Sequence, residues 1–398
     1  MRRMMTAVRH RHGVRPGQAR ETNVESVLRR LIAHGPMSRR DLARALGLSQ
    51  SGMTRVVAPL TEAGLLTETE AVVTDGRRGR RQVPITIDPE QGCVAGVHLG
   101  AEHVSVALCT LGGDTLTTGR VGFDGTPRRA VEAGVGEVGR LAAGLAPLRG
   151  VGVITGGWVD SRSGVVREHR LLDWHDVPLR AEFQELLVPQ GIPVVVQAAS
   201  QAHALADLMF GLTGSVDSFL HVFVGNIVEA SVVAHGAILA RPDGFGSDLW
   251  DWPVPDRPGA TAGSTLTDGC VVASAQDRGI LASTGTFDDL VQLARAEEAD
   301  GEARGLLADR ARRVGELVAP LAAVTGSPMV VASSGVVAIE DQLADVAAGL
   351  AGGFGDPDTL PTVISGAFGP ASVGRAAAAC VIDDLLADPL GNLARVRS

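Results

Sequence analysis

The side chains whose types and spacing could do chemistry cluster near the N-terminus. Gln50, Ser51, Thr54 and Arg55 recur at one-, three- and four-residue steps, the spacing that gathers side chains on one helical face. Their groups suit nucleic-acid bases: Arg forks onto guanine, Gln pairs with adenine, and hydroxyls take phosphate or base. Arg77, Arg78, Arg80 and Arg81 surround Gly79. An extended Arg-Gly-Arg segment is slim enough for a narrow, A·T-rich minor groove, whose potential attracts guanidinium groups. Ser38, Arg39 and Arg40 stand where another helix should begin, a position that favours phosphate. The chemistry is recognition of double-stranded DNA, not bond making.

These groups need a scaffold, and residues 21–86 predict a winged helix-turn-helix. From Glu21, apolar Val24, Val27, Leu28, Leu31 and Ile32 share a helical face until Gly35-Pro36 ends it. Ser38 predicts a helix cap, with Asp41 as its capping-box partner; Leu42, Ala45 and Leu46 then point inward. Gly47 supplies a turn, and Ser49 caps a recognition helix whose inner face is Met53, Val56, Val57 and Leu60. Pro59 predicts a kink or an early end to that helix. Two strand-like runs flank the arginine cluster and predict a β-wing. Residues 1–20 read as a disordered basic tail.

Charge agrees with this division. Residues 1–90 hold 16 arginines against nine acidic residues, although the 398-residue chain carries a net charge of −9. A basic head on an acidic body suits a head that meets a polyanion. Every basic residue other than histidine is arginine. Cys93, Cys109, Cys270 and Cys380 are scattered, so neither a disulfide framework nor a sulfur-rich metal cluster is expected. No apolar run approaches the roughly 18–20 residues of a membrane span, and the start lacks the apolar stretch of a signal peptide. A cytoplasmic protein is expected.

From Cys93 the rhythm becomes α/β. Three strands joined by glycine turns lead to a helix near 128–146, and the apolar runs VGVIT and IPVVV precede a small-residue helix. A second β-rich start near 218, an irregular stretch near 240–282 and an amphipathic helix near 288–325 follow. Two β-rich starts suggest two similar lobes.

Five stretches in this order resemble the repressor, open-reading-frame and kinase (ROK) family. They are SRRDLARALGLSQSGMTRVV, GRRGRRQVPITIDPEQG, GGWVDSRSGVV, LLDWHDVPLRAEF and GAFGPASVGRAAAACVIDDLLADP. The resemblance implies an N-terminal winged helix-turn-helix followed by a two-lobed actin-like (ribonuclease H-like) sugar-kinase fold. It divides the body into an N-lobe over 87–200, a C-lobe over 201–371 and a C-terminal helix over 372–398 returning to the N-lobe. It also implies a regulator, a repressor more than an activator, assembled as a homodimer or tetramer on a two-fold operator with A·T-rich flanks.

The departures from the family bear on catalysis. Its first phosphate segment, Asp-φ-Gly-Gly-Thr (φ, an apolar residue), is here His98-Leu99-Gly100-Ala101-Glu102, where Glu102 would repel phosphate. Its glycine-rich second segment is here Gly225-Asn226-Ile227-Val228-Glu229-Ala230. Its catalytic aspartate and neighbouring sugar-binding asparagine are here Ala199 and Ala198, and alanine takes no proton. Of its zinc site only Cys270 remains; Ser247 stands for the histidine, and Val272 replaces a sugar-binding glutamate. The resemblance therefore implies a body without catalytic residues, metal or cofactor. Gln197, Ser200, His98 and Glu102 are the candidates for holding a small-molecule effector of unknown identity. Trp158, Trp174, Trp250 and Trp252 read as packing residues, with the Trp250-Asp251-Trp252 run unusual where the zinc module would sit. Two other readings stay open: an ATP-dependent sugar kinase with a DNA-binding head, and a scaffold that senses nothing.

Overall fold

The structure, a computed structural model, describes residues 16–70, 83–187, 191–211, 216–239, 247–296, 301–354, 357–366 and 373–395. The chain divides into two compact units, one within Met1–Asp88 and Leu385–Ser398, the other within Pro89–Asp384.

The first unit begins with α1 (Pro16–His34), β1 (Met37–Ser38), α2 (Arg39–Ala45), α3 (Gln50–Glu62), β2 (Leu66–Glu68) and β3 (Pro84–Ile87). The strands form one sheet in the order β1-β3-β2. The core joins Val27, Leu28 and Leu31 of α1 to Leu42 of α2, to Met53, Val57 and Leu60 of α3, and to Ile85. Apolar residues at three- and four-residue steps give each helix one face to bury, and that burial drives the unit together. Ser49 caps α3, its hydroxyl accepting from the Gly52 amide at 3.0 Å.

The second unit contains two five-stranded sheets. The first is built from β4 (Cys93–Leu99), β5 (His103–Thr110), β6 (Thr115–Gly122), β7 (Leu148–Thr155) and β11 (Val194–Ala198). Between its strands lie α4 (Pro127–Ala142), the small β8 (Trp158–Asp160), β9 (Val165–His169), β10 (Trp174–Val177) sheet, and α5 (Leu179–Leu187). After α6 (Ala199–Ala206) comes the second sheet: β12 (Phe219–Val224), β13 (Val228–Ala234), β14 (Ala237–Ile238), β15 (Met329–Ser334) and β16 (Thr362–Ser365). Its helices are α7 (Ala262–Thr265), α8 (Asp268–Asp277), α9 (Phe287–Ala296), α10 (Glu302–Thr325) and α11 (Gln342–Ala351). The orders β6-β5-β4-β7-β11 and β14-β13-β12-β15-β16 match strand for strand: an antiparallel meander, then two parallel additions. The two β-rich starts in the sequence mark this duplication.

Helix α12 (Val373–Ala387) returns to the first sheet. A Cβ on Gly96 would overlap the Gly374 carbonyl oxygen, and one on Gly152 the Ala377 carbonyl oxygen. Helix and sheet therefore meet backbone to backbone. Gly152→Val is expected to destabilise the body by about 3 kcal/mol or more, because backbone cannot yield as a side chain would. Urea unfolding of the purified variant measures it; an unchanged midpoint would contradict the contact.

Several expectations need correction. Helix α1 begins at Pro16, inside the segment read as a tail, because proline at a first helical position is pre-organised. Pro59 does not end α3, which continues to Glu62. On α2, Ala43 is buried and Ala45 exposed. The 288–325 helix is two helices, with Gly301 extended at the start of the second. The 240–282 stretch contains α8, capped by the Thr267 hydroxyl. The C-terminal segment is likewise two helices, α12 and α13 (Pro389–Arg395), since Pro389 cannot continue the first. From Leu385 the chain groups with the N-terminal unit.

Candidate nucleic-acid interface and interlobe cleft

Helix α3 offers two contrasting faces. Met53, Val56, Val57 and Leu60 are buried, whereas Gln50, Ser51, Thr54 and Arg55 are all exposed. The structure thus brings the four predicted reading residues together at the N-terminal end of one helix. They are not equally available. The Thr54 hydroxyl donates to the Gln50 carbonyl at 3.0 Å, and the Ser51 hydroxyl lies 3.2 Å from that of Ser49. The side chains of Gln50 and Arg55 have no hydrogen-bond or ion-pair partner among the described residues, so their donors are free for base edges.

The three residues expected on phosphate separate in the same way. Ser38 is buried, donating to Asp41 Oδ2 at 2.7 Å and accepting from the Asp41 amide at 3.1 Å. Its hydroxyl is a helix cap, not a phosphate ligand. Arg39 pairs with Glu68 on β2 at 3.0 Å, and Arg40 is exposed without an ion pair among the described residues. Strands β2 and β3 pair antiparallel, Leu66 opposite Ile87 and Glu68 opposite Ile85, forming the base of a wing. Arg77, Arg78, Arg80 and Arg81 lie outside the described residues.

In the second unit a cleft of about 690 Å³ opens between the two sheets. His98, Glu102, His103, Arg120, Asn226 and Asp268 are among its lining. His98 and Glu102 are therefore brought together there, while Gln197 and Ser200 are not on its wall. Gln197 accepts from the Ser161 hydroxyl, and Ser200 is buried against Ser231, whose hydroxyl donates to it at 3.0 Å. Burial lowers His98 to about 4, helped by His169 and Arg120. This imidazole stays neutral at physiological pH.

Sequence reading missed the role of Glu229. Its carboxylate is fully buried on β13, where Oε1 accepts from the Gly157 amide at 2.8 Å and Oε2 from the Ser200 amide at 3.0 Å. The second bond places a carboxylate at the start of α6, the end of a helix that favours negative charge. Burial nonetheless pushes Glu229 up to about 7, opposed by these two amides, while Asp248 adds to the rise. An acid where the family's segment is glycine-rich was the only sequence signal. Ala199 beside it is buried and offers no base. Arg170 ties the two halves at the surface through a forked pair with Asp251, 2.7 Å on each arm.

The residues present do not fit zinc. Cys270 Sγ accepts from Thr267 Oγ1 at 3.0 Å and lies 3.4 Å from the Gly263 carbonyl. Among the described residues no three of His, Cys, Asp and Glu form a group that could hold a metal ion. The tryptophans differ in setting. Trp174 is buried with its Nε1 donating to the Gly125 carbonyl at 2.8 Å, Trp250 packs over Gly263, and Trp252 is exposed. Among the described residues no helix is long and apolar enough to cross a membrane.

Comparison with known proteins agrees with this arrangement. Residues 94–367 match the ROK family, and residues 26–78 match the MarR family. A transcriptional regulator of Mycobacterium tuberculosis is 30% identical over 97% of this chain and 91% of its own. The crystal structure of a ROK family transcriptional regulator, a homologue of the Escherichia coli Mlc protein, superposes over 95% of this chain and 99% of that one. Its TM-score is 0.74 at 20% identity. A ROK family glucokinase from Streptomyces griseus, solved with glucose and AMPPNP, covers 73% of this chain and 99% of its own, with TM-score 0.62 and 20% identity. The kinase likeness takes in the body, whereas the regulator likeness spans head and body together. The chain belongs to the ROK family, as one of its transcriptional regulators.

Proposed function

We propose that the protein is a cytoplasmic repressor that binds a two-fold operator as a dimer, with a body that does not phosphorylate sugar. The observation that carries this reading is the recognition helix, whose exposed face presents Gln50 and Arg55 without partners among the described residues. Two heads on a dimer would engage half-sites about one helical turn apart, or a multiple of it. Arg40 supports the placement on phosphate. Arg77, Arg78, Arg80 and Arg81 supply the wing's minor-groove contacts in this proposal.

Affinity capture and sequencing of genomic fragments at near-physiological salt tests the reading. A two-fold motif with A·T-rich flanks is the expected result. Fragments without a shared motif, released simply by raising salt, would make the head a non-specific DNA holder.

The body's loss of catalysis rests on Ala199 where a base would stand and on Glu229 at the start of the helix behind it. A coupled assay with ATP and hexoses, aminosugars or N-acetylated sugars should detect no turnover, and turnover on any of them would restore the kinase reading. Effector binding belongs, on this reading, in the cleft beside His98 and Glu102, where the neutral His98 imidazole offers hydrogen bonds without adding positive charge.

A further inference from the structure

Within the second unit, a second cavity of about 180 Å³ opens beside α8 and α10. Four arginines line it: Arg257, Arg278, Arg310 and Arg313. The one carboxylate on its described wall, Asp309, is already held by Arg313 Nε at 2.8 Å and by Arg312 Nη2 at 2.7 Å. Arg257 and Arg278 are exposed, and among the described residues neither has a carboxylate within ion-pair distance. Arg310 is only 2% exposed. It donates from Nε to the Leu266 carbonyl and from Nη2 to Asp268, while its buried Nη1 has no hydrogen-bond partner. That Nη1 lies against Gly335, where an added Cβ would come within 2.7 Å of it, so Arg310 gives the wall charge rather than an open bond.

We propose that this cavity binds the phosphoryl group of a small anion. Asp268 offsets Arg310 and Asp309 offsets Arg313, so the two exposed arginines, Arg257 and Arg278, leave about two positive charges to balance, which suits a dianion better than a monoanion. Guanidinium forks match the tetrahedral oxygens of phosphate, giving charge-assisted, two-pronged bonds. The Ser264 hydroxyl on the same wall already donates to the Thr261 carbonyl at 3.1 Å, which leaves the binding to the arginines. The volume, about that of six waters, admits a phosphoryl group with a short organic arm but not a nucleic-acid strand. The site is independent of the DNA-binding reading, since no residue of the head contributes to it.

The test is a thermal-shift titration of the full chain with inorganic phosphate, potassium chloride being adjusted to hold ionic strength constant. A saturable rise of about 2 °C at ten times the Kd is expected. An Arg257→Ala, Arg278→Ala variant should keep the Tm measured without phosphate and bind phosphate at least tenfold more weakly. An Arg78→Ala, Arg80→Ala variant should respond as the unaltered chain does, which excludes the basic head as the source. Glycerol phosphate, run in parallel, separates the two origins of the group: tighter binding than phosphate marks a phosphorylated metabolite, and equal binding marks the free ion. The proposal is overturned if chloride alone reproduces the shift or if the Arg257, Arg278 variant responds undiminished.

Discussion

A Gln50→Ala, Arg55→Ala variant is expected to lose its operator and keep its grip on DNA in general. Each well-formed contact from such a side chain to a base edge is worth about 1–3 kcal/mol of discrimination, so two together should cost about 100-fold or more in specific affinity. The salt dependence should change by little, because Gln50 carries no charge and Arg55 would account for at most one phosphate. Arg78→Ala with Arg80→Ala should do the reverse, lowering the salt slope by about two while leaving the preferred sequence largely intact. Gel-shift titrations on the captured operator and on unrelated DNA, over a range of salt, separate the two. Equal losses on both DNAs for the Gln50, Arg55 variant would remove α3 from sequence reading.

The second large effect concerns acid. His169, His203 and His221 are buried, at 3%, 4% and 0% exposure. Burial lowers His169 to about 4 and His203 to about 3, with His98 adding to the second, and holds His221 well below its usual range. His169 accepts from the Leu172 amide through Nδ1 at 3.3 Å, a bond that protonation there would break. His203 stacks between His221 and Phe223, and Asp207 stands 3.4 Å from His221 without reversing the effect of burial. A base whose folded pKa lies below its unfolded value stabilises the fold above the unfolded pKa of about 6.5 and loses that stability as pH falls. At pH 5 all three unfolded histidines are charged and their folded counterparts are not. The loss from pH 7 is then about 2 kcal/mol each, about 6 kcal/mol together.

Glu229 acts in the opposite sense. Its folded pKa is raised to about 7, so the fold gains stability as pH falls towards the unfolded value, about 2 kcal/mol between pH 7 and 5. His98, also held at about 4 by burial, adds a further loss of about 2 kcal/mol, so a net loss of about 6 kcal/mol is expected over that interval, a large part of a typical domain's stability. Glu229→Gln should steepen it to about 8 kcal/mol. Urea midpoints at pH 7 and 5 for both proteins provide the check, and a pH-independent midpoint would contradict the burial of the three imidazoles.

Legibility in the sequence followed the range of the interaction. Ser38, Asp41, Ser49 and Gly47 act within three or four residues, and caps, turn and recognition face could all be read from their spacing. The duplicated sheets were legible as two β-rich starts because each meander is local. Glu229 was not, since its partners lie 72 and 29 residues away and nothing near it in the chain says that two amides will converge on it. Ser38 was assigned to phosphate for a related reason. Sequence offered that hydroxyl both as a cap and as a phosphate ligand, and the fold decides between them, since Asp41 holds it. The arginine cavity gathers residues from 257 to 313, and no periodicity announces it.

The glycine contact between α12 and the first sheet has a consequence for the order of events during synthesis. Strands β4 and β7 leave the ribosome roughly 230 residues before the helix that lies against Gly96 and Gly152 is complete, an interval on the order of 10–50 s at bacterial rates. For that time the nascent first lobe has a hydrophobic slot with its occupant still unmade. Chaperone dependence should therefore concentrate in the interval before residue 387 emerges, and any substitution that slows the docking of α12 would lower yield in the cell before it changed the finished protein.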